Sequence, residues 1–138
     1  FTPEVFYKML RSKNRQIKPL LLDQTFLAGL GNIYVDEALF QAGIQPLSIA
    51  ASIPKRQSMS LHAAIQSILS ASIKAQGTTI LNFSHGENES GTYQAALQVY
   101  GRKDEPCLVC ETPITKITVG QRGTHFCSSC QSLFKAKR

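Results

Sequence analysis

The chain has 138 residues, a net charge of +6 and 43% hydrophobic residues, which is enough apolar material for the core of one domain and a small appendage. This composition excludes intrinsic disorder and collagen-like architecture. The longest unbroken aliphatic run is three residues, for example 20–22, far short of the ~20 residues that a membrane span requires. We therefore expect a soluble protein with no membrane partner.

The start of the chain and its cysteines bear on its origin. It begins with Phe1 rather than methionine and carries no basic-then-apolar leader, so we expect a fragment of a longer protein. All four cysteines lie between 107 and 130, which is not how a disulfide framework spreads along a chain. A reducing, cytoplasmic compartment fits this distribution.

Basic residues are concentrated at the two ends of the chain. Residues 1–18 hold five basic and one acidic side chain, and residues 101–138 hold seven basic and three acidic ones. The segment between them is slightly acidic. One interpretation is that these basic ends only form a solvated protein surface. The alternative is that two concentrated basic segments bind a polyanionic partner.

The first third of the chain predicts short helices. Thr2 followed by Pro3 is typical of a helix start, and we expect that helix to run to about Asn14. Residues 20–22 are then expected to form a short apolar turn. Residues 26–32 predict a short helix broken by two glycines.

Two further helices follow. Asn32 is expected to cap a helix that continues to Ala42 and ends at Gly43, which supplies the left-handed residue. A longer amphipathic helix is expected to open at Pro54 and stop at Gly77.

The last third changes character. Residues 82–92 predict a polar loop, and β-prone stretches at 114–119 and 124–126 predict a hairpin. The fold class is therefore mainly α, a helical bundle followed by a small β-hairpin finger. We place the domain boundary between 1–104 and 105–138.

The four cysteines form two C-x-x-C pairs, Cys107 with Cys110 and Cys127 with Cys130, separated by 16 residues. This spacing predicts one structural Zn²⁺ held by four thiolates, with no open position for substrate. The alternatives are a redox C-x-x-C or an iron-bound ribbon of the same geometry. His125 is expected to make a packing or backbone contact rather than to bind the metal. We expect chelation to melt the finger while leaving most of the helical structure intact.

A glycine-rich helix start is a candidate anion site. Gly29 and Gly31 directly precede the helix that opens at Asn32, where free backbone N–H groups and the helix dipole would favour a phosphate. Taken alone, the same residues fit an ordinary tight turn between helices. Lys18 and Arg122 would add cations to such a site.

Four stretches of the chain together resemble a known family. They are 18–24, 29–37, 99–102 and the four-cysteine finger with 121–124. In this order they are similar to the C-terminal half of formamidopyrimidine-DNA glycosylase. The resemblance implies a helix-two-turns-helix domain with a zinc finger, together binding duplex DNA that carries oxidised bases such as 8-oxoguanine or abasic sites.

The resemblance also implies site residues. Asn32 and the adjoining backbone amides would hold a phosphate, assisted by Lys18, while Arg122 would grip another. The DNA-binding residues implied in this way are Lys18, Gly31, Asn32, Ile33, Arg102 and Arg122. A lesion-capping loop would contain Gly91, Thr92 and Tyr93.

The chemistry of the family is expected to lie outside this chain. The family's nucleophile is an N-terminal proline, whereas the nitrogen of Pro3 is acylated by Thr2 and has no free lone pair. The intact protein would be a glycosylase with abasic-site lyase activity, a monomer in which an N-terminal catalytic domain is the partner of this portion. We expect this chain alone to bind DNA without turnover.

Two other functions compete with this interpretation. A zinc-ribbon module that binds nucleic acid or protein without enzymatic role would explain the finger and the basic ends alone. A small hydrolase using His62 and His85 would need a paired nucleophile, and neither histidine has one in the sequence pattern.

Overall fold

The computed structural model describes residues 2–27, 30–85 and 97–135. Helices fill the first part of the chain, and a two-stranded antiparallel sheet lies in the last part of the described residues. The helices are α1 (Pro3–Arg11), α2 (Ile17–Leu22), α3 (Asn32–Ala42), a 3-10 turn (Ala50–Ser52) and α4 (Lys55–His85), and the strands are β1 (Thr115–Val119) and β2 (Arg122–Phe126). The predicted fold class, mainly helical with a small hairpin finger, is confirmed.

The start of α1 follows the prediction. The side-chain oxygen of Thr2 accepts a hydrogen bond from the backbone N–H of Val5 at 3.1 Å, as an N-cap residue does. The helix ends at Arg11, earlier than the predicted Asn14. The hydroxyl of Ser12 donates to the carbonyl of Met9 at 2.8 Å and closes the last turn.

Two predictions between α1 and α3 are wrong. Residues 20–22 belong to α2 rather than to a turn, and Pro19 lies in the first turn of that helix, where its missing N–H costs no helical bond. Residues 24–27 form turns rather than a helix: the N–H of Phe26 donates to the carbonyl of Asp23 at 2.9 Å. Ala28 and Gly29 of the predicted helix lie outside the described residues, and the described residues 30 and 31 are not helical.

The bounds of α3 and α4 differ from expectation at one end each. Gly31, not Asn32, is the N-cap of α3, and Asn32 is its first residue. The predicted end at Gly43 is confirmed, with φ of 73°. In α4 the helix passes through Gly77 and ends at His85, because a glycine inside a helix costs only about 1 kcal/mol and does not by itself stop one. Residues 82–85 of the predicted polar loop are thus helical, and 86–92 lie outside the described residues.

The hairpin is a tight one. β1 and β2 pair antiparallel with Val119 opposite Arg122, so that the turn consists of Gly120 and Gln121. Both turn residues have positive φ, 57° and 68°, which matches the right-handed twist of the strands. Arg122 consequently opens β2, at the edge of the turn.

The core joins the helices to the finger. The main cluster of buried side chains comes from α1 to α4, with Phe134 from the end of the described chain packed against it. A second cluster contains Phe40 of α3, Val99 of the segment before the finger, and Cys107, Ile114 and Cys127 of the finger. Backbone bonds tie the two parts together as well: the N–H of Gln45 donates to the carbonyl of Ser132 at 2.8 Å, and that of Ile49 to Phe134 at 2.7 Å.

Among the described residues, no helix combines the length and the apolar character needed to cross a membrane.

Candidate metal centre and nucleic-acid interface

The four predicted metal ligands meet at one point. The Sγ atoms of Cys107, Cys110, Cys127 and Cys130 all lie within 4.8 Å of one another. Individual Sγ distances are 3.8 Å from Cys107 to Cys130 and 3.4 Å from Cys110 to Cys127. A tetrahedron with Zn–S bonds of ~2.3 Å has edges of roughly 3.8 Å, so the thiols fit one zinc ion. The protein therefore carries a single structural Zn²⁺ site with its coordination shell closed by sulfur.

The local backbone prepares these sulfurs for a metal. The N–H of Val109 donates to Sγ of Cys107, and the N–H of Cys130 donates to Sγ of Cys127, each at 3.3 Å. Hydrogen bonding with Thr112 lowers the pKa of Cys110 to about 6, whereas burial raises the pKa of Cys127. Hydrogen bonding therefore favours the zinc-binding thiolate form at Cys110, whereas burial, which raises the pKa of Cys127 and of Cys130, opposes it there.

The start of α3 is open on one side. A Cβ atom placed on Gly31 would meet nothing within 4 Å, so the first turn of the helix can be approached closely. The carbonyl of Gly31 already accepts from the N–H of Val35 at 2.9 Å, as in the first turn of a regular helix. The N–H groups of Asn32 and Ile33 have no partner within a helix of this kind and point outward from its positive end.

Asn32 links this helix end to the hairpin. Its Nδ2 donates to the carbonyl of Gly123 at 3.2 Å. Its Oδ1 is buried and has no hydrogen-bond partner in the part of the chain that the structure describes. An amide nitrogen carries two hydrogens, so Asn32 can hold Gly123 and still offer a donor to a ligand.

Lys18 is fully buried rather than exposed to a ligand. Its Nζ lies 2.7 Å from Oδ1 of Asp36, 3.0 Å from the carbonyl of Gly123 and 2.8 Å from Oγ1 of Thr124. These three acceptors use the three hydrogens of the ammonium group. Burial lowers the pKa of Lys18 and raises that of Asp36, and in each case the ion pair opposes the effect.

The second oxygen of Asp36 holds β2. Oδ2 accepts from the backbone N–H of His125 at 2.9 Å and lies 3.4 Å from Nδ1 of the same residue. The ring of Tyr100 packs edge-on against the His125 ring, with centroids 4.6 Å apart. His125 thus makes packing and backbone contacts, as expected, and stands apart from the group of four cysteines.

Glu37 has a structural role beside the candidate site that the sequence analysis missed. Its carboxylate accepts the backbone N–H groups of Gln98, Val99 and Tyr100, at 2.7, 2.9 and 2.9 Å. It thereby fixes the segment that leads into the finger. Two adjacent acids inside the apolar helix that follows Asn32 are the pattern from which this role could have been inferred.

The two predicted arginines have different surroundings. The Arg102 guanidinium donates to the carbonyls of Gln98 and Pro106 and to Glu105, each at 3.2 Å, and so braces the entry to the finger. Arg122 is exposed at the start of β2 and is close enough to Lys18 to lower its pKa. The structure brings Asn32, Lys18 and Arg122 to one edge and leaves Arg102 engaged elsewhere.

The other predicted site residues are not among those at the edge with Asn32, Lys18 and Arg122. Gly91, Thr92 and Tyr93 lie outside the described residues. His62 is buried in the helical core with its ring 5.8 Å from that of Phe6, as expected for a structural histidine. His85 ends α4.

Two family models match the chain. Residues 1–84 match the formamidopyrimidine-DNA glycosylase H2TH domain, and residues 104–133 match a zinc finger found in FPG and IleRS. Among curated relatives, the formamidopyrimidine-DNA glycosylase of Bacillus licheniformis is 48% identical over 131 residues, covering 95% of this chain and 48% of that protein. The Lactobacillus helveticus protein of the same name is 48% identical over 135 residues, covering 98% and 49%.

Solved structures agree with the sequence relatives. The Lactococcus lactis Fpg in complex with DNA containing an abasic site has a TM-score of 0.82 and 43% identity, covering 96% of this chain and 48% of that one. The same enzyme with DNA containing FAPY-dG gives a TM-score of 0.82 and 44% identity, with the same coverage. This chain spans about half the length of the relatives it matches. Since the two models account for the helices up to residue 84 and for the finger, the chain belongs to the formamidopyrimidine-DNA glycosylase family.

Proposed function

We propose that this chain is the DNA-binding and lesion-recognition portion of a base-excision-repair glycosylase that acts on oxidised purines, formamidopyrimidine and 8-oxoguanine. The observation that carries the proposal is the open first turn of α3, with the Asn32 amide bonded to the carbonyl of Gly123, the residue that follows the exposed Arg122. A helix N-terminus and a guanidinium on one edge suit two phosphates of a duplex backbone.

The proposed contacts divide into direct and supporting ones. Gly31, Asn32 and Ile33 would bind one phosphate through backbone and amide N–H groups, and Arg122 another. Lys18 would act behind the contact surface, because protein acceptors engage all three of its donors. Arg102 would also have a supporting role, because each of its three guanidinium nitrogens already donates to a protein acceptor. These contacts position DNA without reading bases, so lesion recognition would fall to the segment with Gly91, Thr92 and Tyr93.

The reaction itself is assigned to the remainder of the protein. The intact enzyme would be a cytoplasmic, monomeric DNA glycosylase with abasic-site lyase activity, whose N-terminal domain supplies the proline nucleophile. In this chain the nitrogen of Pro3 is a peptide nitrogen. Borohydride should therefore trap no covalent complex between this chain and abasic DNA, and a trapped complex would contradict the assignment.

Duplex binding tests the DNA-binding role. Fluorescence anisotropy of the zinc-loaded chain would be measured on one duplex with a stable abasic analogue and on one undamaged duplex, at a single salt concentration. Tighter binding to the abasic duplex supports lesion or kink recognition in this portion, and equal binding places discrimination elsewhere in the protein. If neither duplex binds, the proposal fails and the finger serves as a zinc-ribbon interaction module.

A matched pair of variants tests the site. Asn32→Ala should weaken duplex binding roughly tenfold, because an amide donor at a charged phosphate is lost. Asn14→Ala makes the same chemical change at an exposed position before α2 and should leave the affinity unchanged. Equal affinities for the two variants would remove the start of α3 from the interface.

A further inference from the structure

Three elements meet at the carboxylate of Asp36. Asp36 lies four residues after Asn32 in α3, so both side chains occupy the same face of the helix. Its Oδ1 contacts Lys18 of α2, and its Oδ2 accepts from the backbone N–H of His125 in β2. The side chain of Asp36 is completely buried, which excludes a direct contact with a ligand in this conformation.

A continuous set of hydrogen bonds leads from Asp36 to Arg122. The ammonium group of Lys18, which contacts Asp36, also donates hydrogen bonds to the carbonyl of Gly123 and to Oγ1 of Thr124. The hydroxyl of Thr124 donates to the carbonyl of Arg122 at 3.0 Å. From outside the strand, β2 is therefore held at the Gly123 carbonyl, the Thr124 hydroxyl and the His125 N–H, and the Thr124 hydroxyl extends this set to the Arg122 carbonyl. Asn32 shares the Gly123 carbonyl with Lys18.

We propose that Asp36 is a positioning residue for DNA binding, which sets the placement of Arg122 relative to Asn32 by holding β2 against the start of α3. The inference rests on the proposed function, since it concerns the same phosphate contacts. The negative charge of Asp36 by itself opposes DNA binding, because DNA is a polyanion. Its contribution to binding is therefore the placement of β2 and not its charge.

The sign of the effect separates positioning from simple electrostatics. Asp36→Asn makes the net charge one unit more positive than +6, so charge alone predicts equal or tighter DNA binding. Positioning predicts weaker binding, by roughly tenfold, because one oxygen becomes an NH₂ group that faces a donor. That donor is either the ammonium of Lys18 or the N–H of His125.

A double-mutant cycle with Arg122→Ala tests whether Asp36 acts through Arg122. The zinc-loaded full chain and its variants would be titrated onto the abasic-analogue duplex by anisotropy. We expect Arg122→Ala to weaken binding roughly tenfold in the unsubstituted chain and less than about twofold in the Asp36→Asn background. The control Asp104→Asn makes the same charge change at an exposed residue, and there Arg122→Ala should keep its full effect.

The outcomes distinguish the two proposals. If Asp36→Asn binds as tightly as Asp104→Asn, or if its effect and that of Arg122→Ala simply multiply, the positioning role is overturned while the proposed function stands. If the unsubstituted chain binds no duplex, the proposed function falls and this inference falls with it.

A second variant covers the case in which Asp36→Asn does not fold, as judged by zinc content and circular dichroism. Thr124→Val keeps the shape of a β-branched side chain and the net charge but removes the bonds to Lys18 and to Arg122. In the same cycle it should weaken binding and reduce the effect of Arg122→Ala. Unchanged binding by a folded Thr124→Val chain would overturn the inference.

Discussion

The Nζ of Lys18 lies 2.7 Å from Oδ1 of Asp36, and neither side chain is exposed to solvent. The pair joins α2 to α3 and, through the further bonds of both residues, to the finger hairpin. Removing two charges from water is costly, and here the cost is offset by hydrogen bonds to every donor of the ammonium group. A pair of this kind contributes less to net stability than to fixing one arrangement of the three elements.

Removing one partner of the pair should be severe. Lys18→Met leaves the Asp36 carboxylate buried without its counter-ion and should lower the free energy of unfolding by about 3–5 kcal/mol, measured by urea denaturation of the zinc-loaded chain. Lys8→Met removes an exposed lysine of α1 and should change the free energy of unfolding by less than about 0.5 kcal/mol. Equal losses in the two variants would show that the buried pair has no special role.

Replacing Glu37 by the corresponding amide, glutamine, should destabilise the protein. Glu37→Gln keeps the side-chain length, but its single carbonyl oxygen cannot serve the three N–H groups of residues 98–100, and its NH₂ group would face a donor. We expect a loss of about 2–4 kcal/mol in the free energy of unfolding. The exposed Glu111→Gln makes the same change and should be nearly neutral in the same urea experiment. A stable Glu37→Gln chain would contradict the role given to this carboxylate.

Local chemistry in the sequence predicts much of the fold. The Thr2 cap, the left-handed Gly43 and the cysteine spacing are each decided by a few neighbouring residues, and the structure confirms all three. The predicted helix end at Gly77 is wrong, because a glycine ends a helix only where the backbone leaves helical geometry. Here the residues after Gly77 continue α4.

The long-range contacts of the site were not predictable in the same way. Lys18 has no local feature that marks it as buried, because its acceptors lie 18, 105 and 106 residues away. Counting charges along segments treats every lysine as solvated, so the sequence favoured a phosphate contact for this side chain. The sequence analysis offers Arg122 of the hairpin as a further cation for the helix start at Asn32, and the bond from Asn32 to Gly123 gives a physical basis for that arrangement.

Zinc removal should disturb more than the finger. The segment after Cys130 bonds back to the chain that follows α3: the N–H of Ser132 donates to Gly43 at 2.9 Å, and the Gln131 side chain donates to Ile44 at 2.9 Å. The structure therefore favours a loss of tertiary order around α2 and α3 on chelation, in contrast to the partial independence expected from sequence. Amide hydrogen exchange of α3 with and without a chelator measures this. Unchanged protection of α3 would establish that the finger unfolds alone.

Arg122→Ala should affect affinity without affecting sequence preference. A contact to phosphate releases counterions, so its loss should weaken binding by a similar factor on duplexes of different sequence and make the slope of log K against log salt shallower by about 1. Arg56→Ala removes an exposed arginine at the start of α4 and should leave the slope of log K against log salt unchanged. An unchanged slope for Arg122→Ala would remove Arg122 from the set of DNA contacts.

Asp23 should make stability depend on acid pH. Its Oδ1 accepts from the hydroxyl and the N–H of Thr25 at 2.6 and 2.9 Å, and its Oδ2 pairs with Arg15 at 3.0 Å. These contacts, the Thr25 side chain first, lower the pKa of Asp23 from 3.8 to about 2. Because the folded pKa lies below the unfolded one, the stabilisation is complete above pH 3.8 and is lost as the pH falls towards 2.

Asp23→Asn tests this dependence, since the amide resembles the protonated acid. The variant should be less stable than the unsubstituted chain at neutral pH, and the difference in urea midpoint should shrink between about pH 4 and pH 2. Loss of zinc in acid affects both chains, so only the difference between them reports on Asp23. The part of the difference due to Arg15 should decrease with added salt, because that ion pair is solvent-exposed. A difference that stays constant down to pH 2 would mean that ionisation of Asp23 does not stabilise the turn before α3.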